Sequence, residues 1–156
     1  MSARLRGPAL TVDAVWVRGD AVLLVRRGRP PFAGRWALPG GFVEPSETVE
    51  EAVVRELFEE TGLSARPQRV VGVYSGPDRD PRKPTATVAF WMVGRAGEPH
   101  GGDDAAEAAW RPIATVRGGL AFDHGRIVRD ALRAARTARW GVVTHRPPGS
   151  RGPRDG

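Results

Sequence analysis

Gly41-Phe42-Val43-Glu44-Pro45-Ser46-Glu47-Thr48-Val49-Glu50-Glu51-Ala52-Val53-Val54-Arg55-Glu56-Leu57-Phe58-Glu59-Glu60-Thr61-Gly62-Leu63 is the stretch that decides how this chain is read. It is a glycine turn leading into a helix. Thr48 is suited to the N-cap, and Glu51 three residues on completes a capping box. Gly62 closes the helix as a left-handed residue, with Leu63 placed to fold back on it. Between the caps, Val49, Ala52, Val53 and Leu57 recur at helical spacing and mark the buried stripe.

Glu56, Glu59 and Glu60 stand at i, i+3 and i+4, so their side chains crowd one patch. Like charges at that spacing destabilise a helix unless something offsets them. A hard divalent cation is the natural partner, because Mg²⁺ takes carboxylates together with waters and substrate phosphates. A solvated acidic face is the ordinary alternative. Against it stand a glycine pair (Gly40, Gly41), an isolated Glu47 and a lone Arg55, all at fixed offsets from the patch.

The pattern is Gly41, five residues, Glu47, seven residues, Arg55-Glu56-Leu57, one residue, Glu59-Glu60, one residue, Gly62-Leu63. It resembles the signature box of the Nudix hydrolases, with every position matched, and is far more specific than a short glycine motif. The lead-in Gly34-Arg35-Trp36-Ala37-Leu38-Pro39-Gly40-Gly41 is similar to that family too. The resemblance implies an α/β/α sandwich with a mixed β-sheet, the box forming a loop–helix–loop. It further implies that Glu56, Glu59 and Glu60 are metal ligands, Glu60 central, with a carbonyl oxygen of Gly40 or Gly41 added. Mg²⁺ is the expected cofactor and Mn²⁺ a substitute. Arg55 would hold Glu47 by a charge-assisted hydrogen bond and so orient the ligand helix. Glu59 and Glu107 lead as candidate general bases. Asp104 is a third candidate base and a further metal ligand.

Working outward, Leu10 to Arg18 and Ala21 to Arg27 read as two strands joined at Gly19-Asp20. Asp13 is the one charge within the apolar part of the first, and Ala21 to Val25 suits a strand buried on both faces. Arg26 to Trp36 is a loop by its prolines and glycines, and its basic residues, Arg35 among them, suit phosphate. Arg69 to Ser75, Thr85 to Arg95 and a short Ala108 to Arg111 read as further strands. Asp123 is a candidate N-cap for a last helix, with Phe122 and Ile127 as a hydrophobic staple. Ile127, Val128, Ala131, Leu132 and Ala135 form its core stripe. Residues 1–143 read as one domain, and 144–156 as a disordered tail rich in proline and glycine.

Gly72-Val73-Tyr74-Ser75, Arg79-Asp80-Pro81-Arg82, Asp103 to Glu107 before Trp110, and Leu120-Ala121-Phe122-Asp123-His124 are similar to small prokaryotic ADP-ribose pyrophosphatases within that family. Lys83-Pro84 departs from the group, where glycine and a small or polar residue are expected. This resemblance implies cleavage of ADP-ribose to AMP and ribose 5-phosphate, with Arg35, Tyr74, Arg79, Arg82, Phe122 and His124 as substrate contacts. Oxidised nucleoside triphosphates or dinucleotide cofactors are the alternative substrates. A domain that senses ADP-ribose without turnover is the alternative of another class, and the intact acidic set favours catalysis. A homodimer is also implied, with Phe90 and Trp91 as candidate contacts.

Composition agrees with a soluble, globular domain. Of 156 residues, 40% are hydrophobic and 27% charged, and there is no cysteine for a disulfide or thiolate site. No apolar run approaches membrane-spanning length, and Met1 to Gly7 lacks a signal-peptide core, so a cytoplasmic location is expected. Residues 1–110 carry 14 basic and 15 acidic side chains, whereas 111–156 carry 10 and 3. The basicity therefore belongs to the C-terminal part and is read as a solvated arginine face, with no specific nucleic-acid partner.

Overall fold

The computed structural model describes residues 6–102 and 105–141. Asp104 and the expected tail over 144–156 lie outside them. Two four-stranded sheets are packed between two helices. The first sheet has the order β5-β1-β7-β6, from β1 (Ala9–Val15), β5 (Gly40–Phe42), β6 (Arg66–Tyr74) and β7 (Thr85–Val93). β1 and β7 run parallel, and the other two pairings are antiparallel, so the sheet is mixed. In the second sheet, β3 (Ala21–Arg27) pairs with β2 (Val17–Arg18), β4 (Trp36–Ala37) and β8 (Ala105–Pro112). α1 (Val49–Thr61) and α2 (His124–Thr137) cover opposite faces.

Side-chain alternation along the strands builds two cores. Val12, Ala14, Trp16 and Leu23 pack with Ala52, Val53 and Leu57 of α1. Val15, Val22 and Leu24, offset by one residue, pack with Ile127, Val128 and Ala131 of α2. β3 is buried from Val22 to Val25, as its continuous apolar run predicts. The same alternation sends Asp13 to the Val15 side, where only 5% of it is exposed.

The first expected strand is divided. Leu10 to Arg18 is apolar enough for one strand, but its pairing changes from β7 to β3 at Trp16, whose carbonyl accepts from Leu23 N–H at 3.0 Å. One extended segment thus serves both sheets. The chain crosses back between β4 and β5 at Leu38-Pro39. β8 is twice the expected length and pairs with β3 throughout, and a 3₁₀ helix over Ile113–Gly118 follows it, unforeseen in the sequence.

The α2 cap differs from expectation. Asp123 makes no side-chain cap, because Arg79 takes its carboxylate in two hydrogen bonds of 2.9 and 2.6 Å. Phe122 packs edge-on against Phe32 at 4.9 Å, in a cluster separate from Ile127, so no staple forms. The helical stripe buries Ala134 in place of Ala135. Phe90 is buried in the α1-side core, and Trp91, half-buried, packs on Trp140 at 5.4 Å.

Gly40 is fixed by close packing. A Cβ there would collide with the Val12 carbonyl oxygen and stand 2.6 Å from Asp13 Oδ1. Gly40→Ala is expected to destabilise the protein by about 3 kcal/mol, since backbone must shift to admit the methyl. The loss is read from the urea midpoint, and an unchanged midpoint would show that β5 can yield.

Candidate active site

The box helix is built as its residues dictate. Glu51 N–H donates to Thr48 Oγ1 at 3.1 Å, and Thr48 N–H to the Glu51 carboxylate at 2.9 Å. Gly62 ends the helix at φ 73°, its N–H donating to the Phe58 carbonyl at 2.8 Å. The helix is thereby fixed at both ends, with Ala52, Val53 and Leu57 buried and its acidic face turned towards the turn at Gly40 and Gly41.

Arg55 organises that face. Its guanidinium grips Glu47 through Nε and Nη2 at 2.9 and 2.5 Å, while Nη1 donates to Glu56 at 2.9 Å and Glu59 at 3.1 Å. Nη2 also donates to the Phe42 carbonyl. Arg55 and the Glu44 N–H together hold the Glu47 carboxyl down at about 2. Bidentate geometry of this kind is what a planar guanidinium supplies and a lysine does not.

Glu60 lies beyond that reach. Its Oε2 accepts a hydrogen bond from Gly40 N–H at 3.3 Å. Burial, and then the charge of Glu56, push its carboxyl well above the usual range. Burial also raises Glu56, against the pull of Arg55. The backbone of Gly41 lies so close that a Cβ there would stand 2.5 Å from Glu56 Oε1. Two shielded carboxylates against glycine backbone, one without a cationic partner in its hydrogen bonds, make a hard-oxygen donor set with charge to be offset. A divalent cation fits it. Among the described residues no three acidic or histidine side chains already gather tightly enough to hold an ion alone. Arg55 draws Glu56 and Glu59 towards itself, and one or two carboxylates completed by waters and phosphate oxygens are what Mg²⁺ ordinarily takes.

Glu56 and Glu60 open into a cleft of about 600 Å³, lined also by Arg27, Phe42, Arg82, Phe122 and His124. Beneath it runs a buried polar network. His124 Nδ1 accepts from Leu38 N–H at 2.9 Å, and Nε2 is 3.3 Å from Asp13 Oδ1. Asp13 Oδ2 accepts from Thr87 Oγ1 at 2.7 Å. Burial lowers the His124 pKa and raises that of Asp13, the latter against the opposing pull of His124, Thr87 and Arg79.

Several expected substrate contacts are placed otherwise. Tyr74 is in the core, its hydroxyl donating to Asp130 at 2.8 Å, and does not line the cleft. Arg79 lines it, but its side chain is only 6% exposed and is committed to Asp123 and Thr85. Arg35 lies outside the lining, its guanidinium 5.6 Å from the Phe32 ring. Arg82 is in the cleft, paired with Asp80 at 2.7 Å, and Phe122 is beside it. His124 reaches the cleft with both ring nitrogens engaged. Glu107 is outside the lining, 3.5 Å from Arg26. Asp13 was missed as a site residue, although a lone carboxylate in an apolar strand was its visible signal.

The NUDIX domain family matches residues 7–131. The chain belongs to this family. An ADP-ribose pyrophosphatase of Methanocaldococcus jannaschii is 48% identical over 126 residues, 81% of this chain and 74% of that one. Among solved structures, a MutT/nudix family protein from Enterococcus faecalis is 32% identical, with a TM-score of 0.77 over 87% of this chain and 65% of that one. The NUDIX domain of Shewanella oneidensis NrtR, complexed with ADP ribose, is 31% identical, with a TM-score of 0.77 over 84% and 90%. This chain is thus a Nudix hydrolase, of a family that uses divalent metal ions. No helix among its described residues is long and apolar enough to cross a membrane.

The Glu47–Arg55 pair makes a pH-dependent contribution to this Nudix domain. A carboxyl lowered from 4.5 to about 2 on folding contributes stability that is complete above pH 4.5 and is lost as pH falls towards 2. Glu47→Gln is therefore expected to lower the urea midpoint by a constant amount at neutral pH, with the gap to the parent protein closing below pH 4.5. A gap that does not change with pH would contradict this linkage.

Proposed function

We propose that this Nudix hydrolase cleaves the pyrophosphate of ADP-ribose, giving AMP and ribose 5-phosphate, with Mg²⁺ as its cation and Mn²⁺ as a substitute. The observation that carries the reading is the joint placement of Glu56, Glu60 and the Gly40-Gly41 backbone on one cleft, held by Arg55 and Glu47. The likeness to the archaeal pyrophosphatase and to the ADP-ribose-bound NrtR domain supports the choice of substrate.

A pyrophosphate transition state spreads negative charge over phosphoryl oxygens, so positioning and charge neutralisation do most of the work. Glu56 and Glu60 would hold the cation, with a Gly40 or Gly41 carbonyl oxygen. When bound, the cation supplies Lewis-acid neutralisation and lowers the pKa of water. Arg55 keeps the helix face in register by holding Glu47 and Glu56 together. Glu59, 40% exposed and steadied by Arg55 Nη1, is the carboxylate we assign to accept the proton of the attacking water. Glu59 and Glu107 both lie outside the cleft lining, but Glu59 stands on the helix that carries Glu56 and Glu60, whereas Glu107 is on β8, paired with Arg26, and ranks below it. Arg82 and Phe122 at the cleft wall would meet the ribose or base.

Chromatographic product analysis with Mg²⁺ tests this on ADP-ribose, NADH, a diadenosine polyphosphate and an oxidised guanosine triphosphate. AMP should appear fastest from ADP-ribose and vanish in Glu60→Gln. Glu59→Gln should lower kcat by about a hundredfold or more, the scale of a lost general base, while Glu107→Gln stays within about twofold of the parent. Preference for another compound would replace the substrate, and tight ADP-ribose binding without turnover would make the protein a sensor.

A further inference from the structure

The chain leaves one sheet and enters the other at Leu38-Pro39-Gly40, and at such a crossover backbone groups lose their ladder partners. Pro39 has no N–H, and its carbonyl accepts from Ala14 N–H at 2.8 Å. Gly40 N–H is directed to Glu60 at 3.3 Å. That leaves Leu38 N–H, a buried donor, and His124 Nδ1 accepts it at 2.9 Å. A nitrogen that accepts carries no proton, so the ring proton belongs on Nε2, facing Asp13 Oδ1 at 3.3 Å. Asp13 is itself opposite Gly40 in the β1–β5 register. One imidazole therefore ties the first residue of α2 to the crossover and to the strand beneath it. With both nitrogens engaged and only 5% of the residue exposed, little is left with which His124 can bind a substrate.

We propose that His124 is a positioning residue: oriented by Asp13, it fixes the Leu38-Pro39-Gly40 crossover through Leu38 N–H and so sets the glycine edge against which Glu60 is held. The proposal rests on the hydrolase reading only for the role of Glu60. His124→Asn places an amide oxygen where Nδ1 stands. His124→Gln extends its amide towards Asp13 and leaves Leu38 N–H without an acceptor. A buried donor left without its partner is costly, so H124Q should speed amide exchange at Leu38 about tenfold or more and lower kcat by a similar factor. KM should stay within about twofold, and Mn²⁺ binding, followed by electron paramagnetic resonance without substrate, should weaken. H124N should restore exchange protection, Mn²⁺ binding and most of kcat. A raised KM with unchanged Leu38 exchange would make His124 a substrate contact and overturn the proposal, as would equal losses in the two variants. In the unsubstituted protein, a through-hydrogen-bond ¹⁵N–¹⁵N coupling should link the Leu38 amide to His124 Nδ1. Its absence would refute the proposal even if H124Q fails to fold. Absence of ADP-ribose turnover by the parent would overturn the substrate reading alone, because exchange, coupling and Mn²⁺ binding need no substrate.

Discussion

Arg55 is the constraint on which the carboxylate cluster depends. Its guanidinium satisfies both oxygens of Glu47, one oxygen each of Glu56 and Glu59, and the Phe42 carbonyl. Without that cation, α1 would carry a run of like charges on one face, with Glu56 and Glu60 shielded from the water that would otherwise screen them. With it, three of the acids are compensated inside the protein, and the fourth, Glu60, is aimed at Gly40 with Glu56 as a like-charged neighbour. The residual negative charge is thereby concentrated at the cleft. This division keeps the helix face balanced by Arg55 while Glu60, beyond its reach, is bonded to the Gly40 backbone at the cleft.

The second constraint is the change of sheet. β1 and β2 are one extended segment divided between two sheets at Trp16, and the chain crosses back at Leu38-Pro39. The cleft lies at this junction: Thr11 and Asp13 reach it from β1, Val25 and Arg27 from β3, Gly40 and Phe42 from β5, and Glu56 and Glu60 from α1. Backbone groups freed from the ladders at a crossover need other partners, and the side chains that meet them, Glu60 and His124, are also those that line the cleft. Satisfying the backbone and shaping the site are the same act here.

Local chemistry made the box legible in the sequence. The capping box at Thr48 and Glu51, the left-handed Gly62 and the apolar stripe all involve residues within one helix and its caps, and spacing alone places them, while the Glu47–Arg55 pair is what the family resemblance implies. Pairings between distant segments were not legible. Arg79 and Asp123 are 44 residues apart, and each has its own persuasive local role, a phosphate contact and an N-cap. Their mutual attraction overrides both. Tyr74 likewise stands as an expected substrate contact until Asp130, 56 residues on, takes its hydroxyl. A sequence shows which groups are available, but competition among them is settled only when the fold brings them together.

That competition also narrows where substrate discrimination can reside. With Tyr74 in the core, Arg79 committed to Asp123 and His124 engaged at both nitrogens, these three side chains are already in use. Arg82, though paired with Asp80, differs from them in exposure. It is 43% exposed, and its guanidinium lies 5.4 Å from the Phe42 ring and 5.9 Å from that of Phe122. Lys83 adds a second cation 4.6 Å from Phe42, at the position where the sequence departs from its nearest resemblance. A planar group entering there would exchange cation–π contacts for stacking on the same rings, a trade between interactions of similar size. The Phe42–Arg82–Phe122 wall is thus the open, aromatic and cationic side of the cleft, set apart from the buried polar network beneath it.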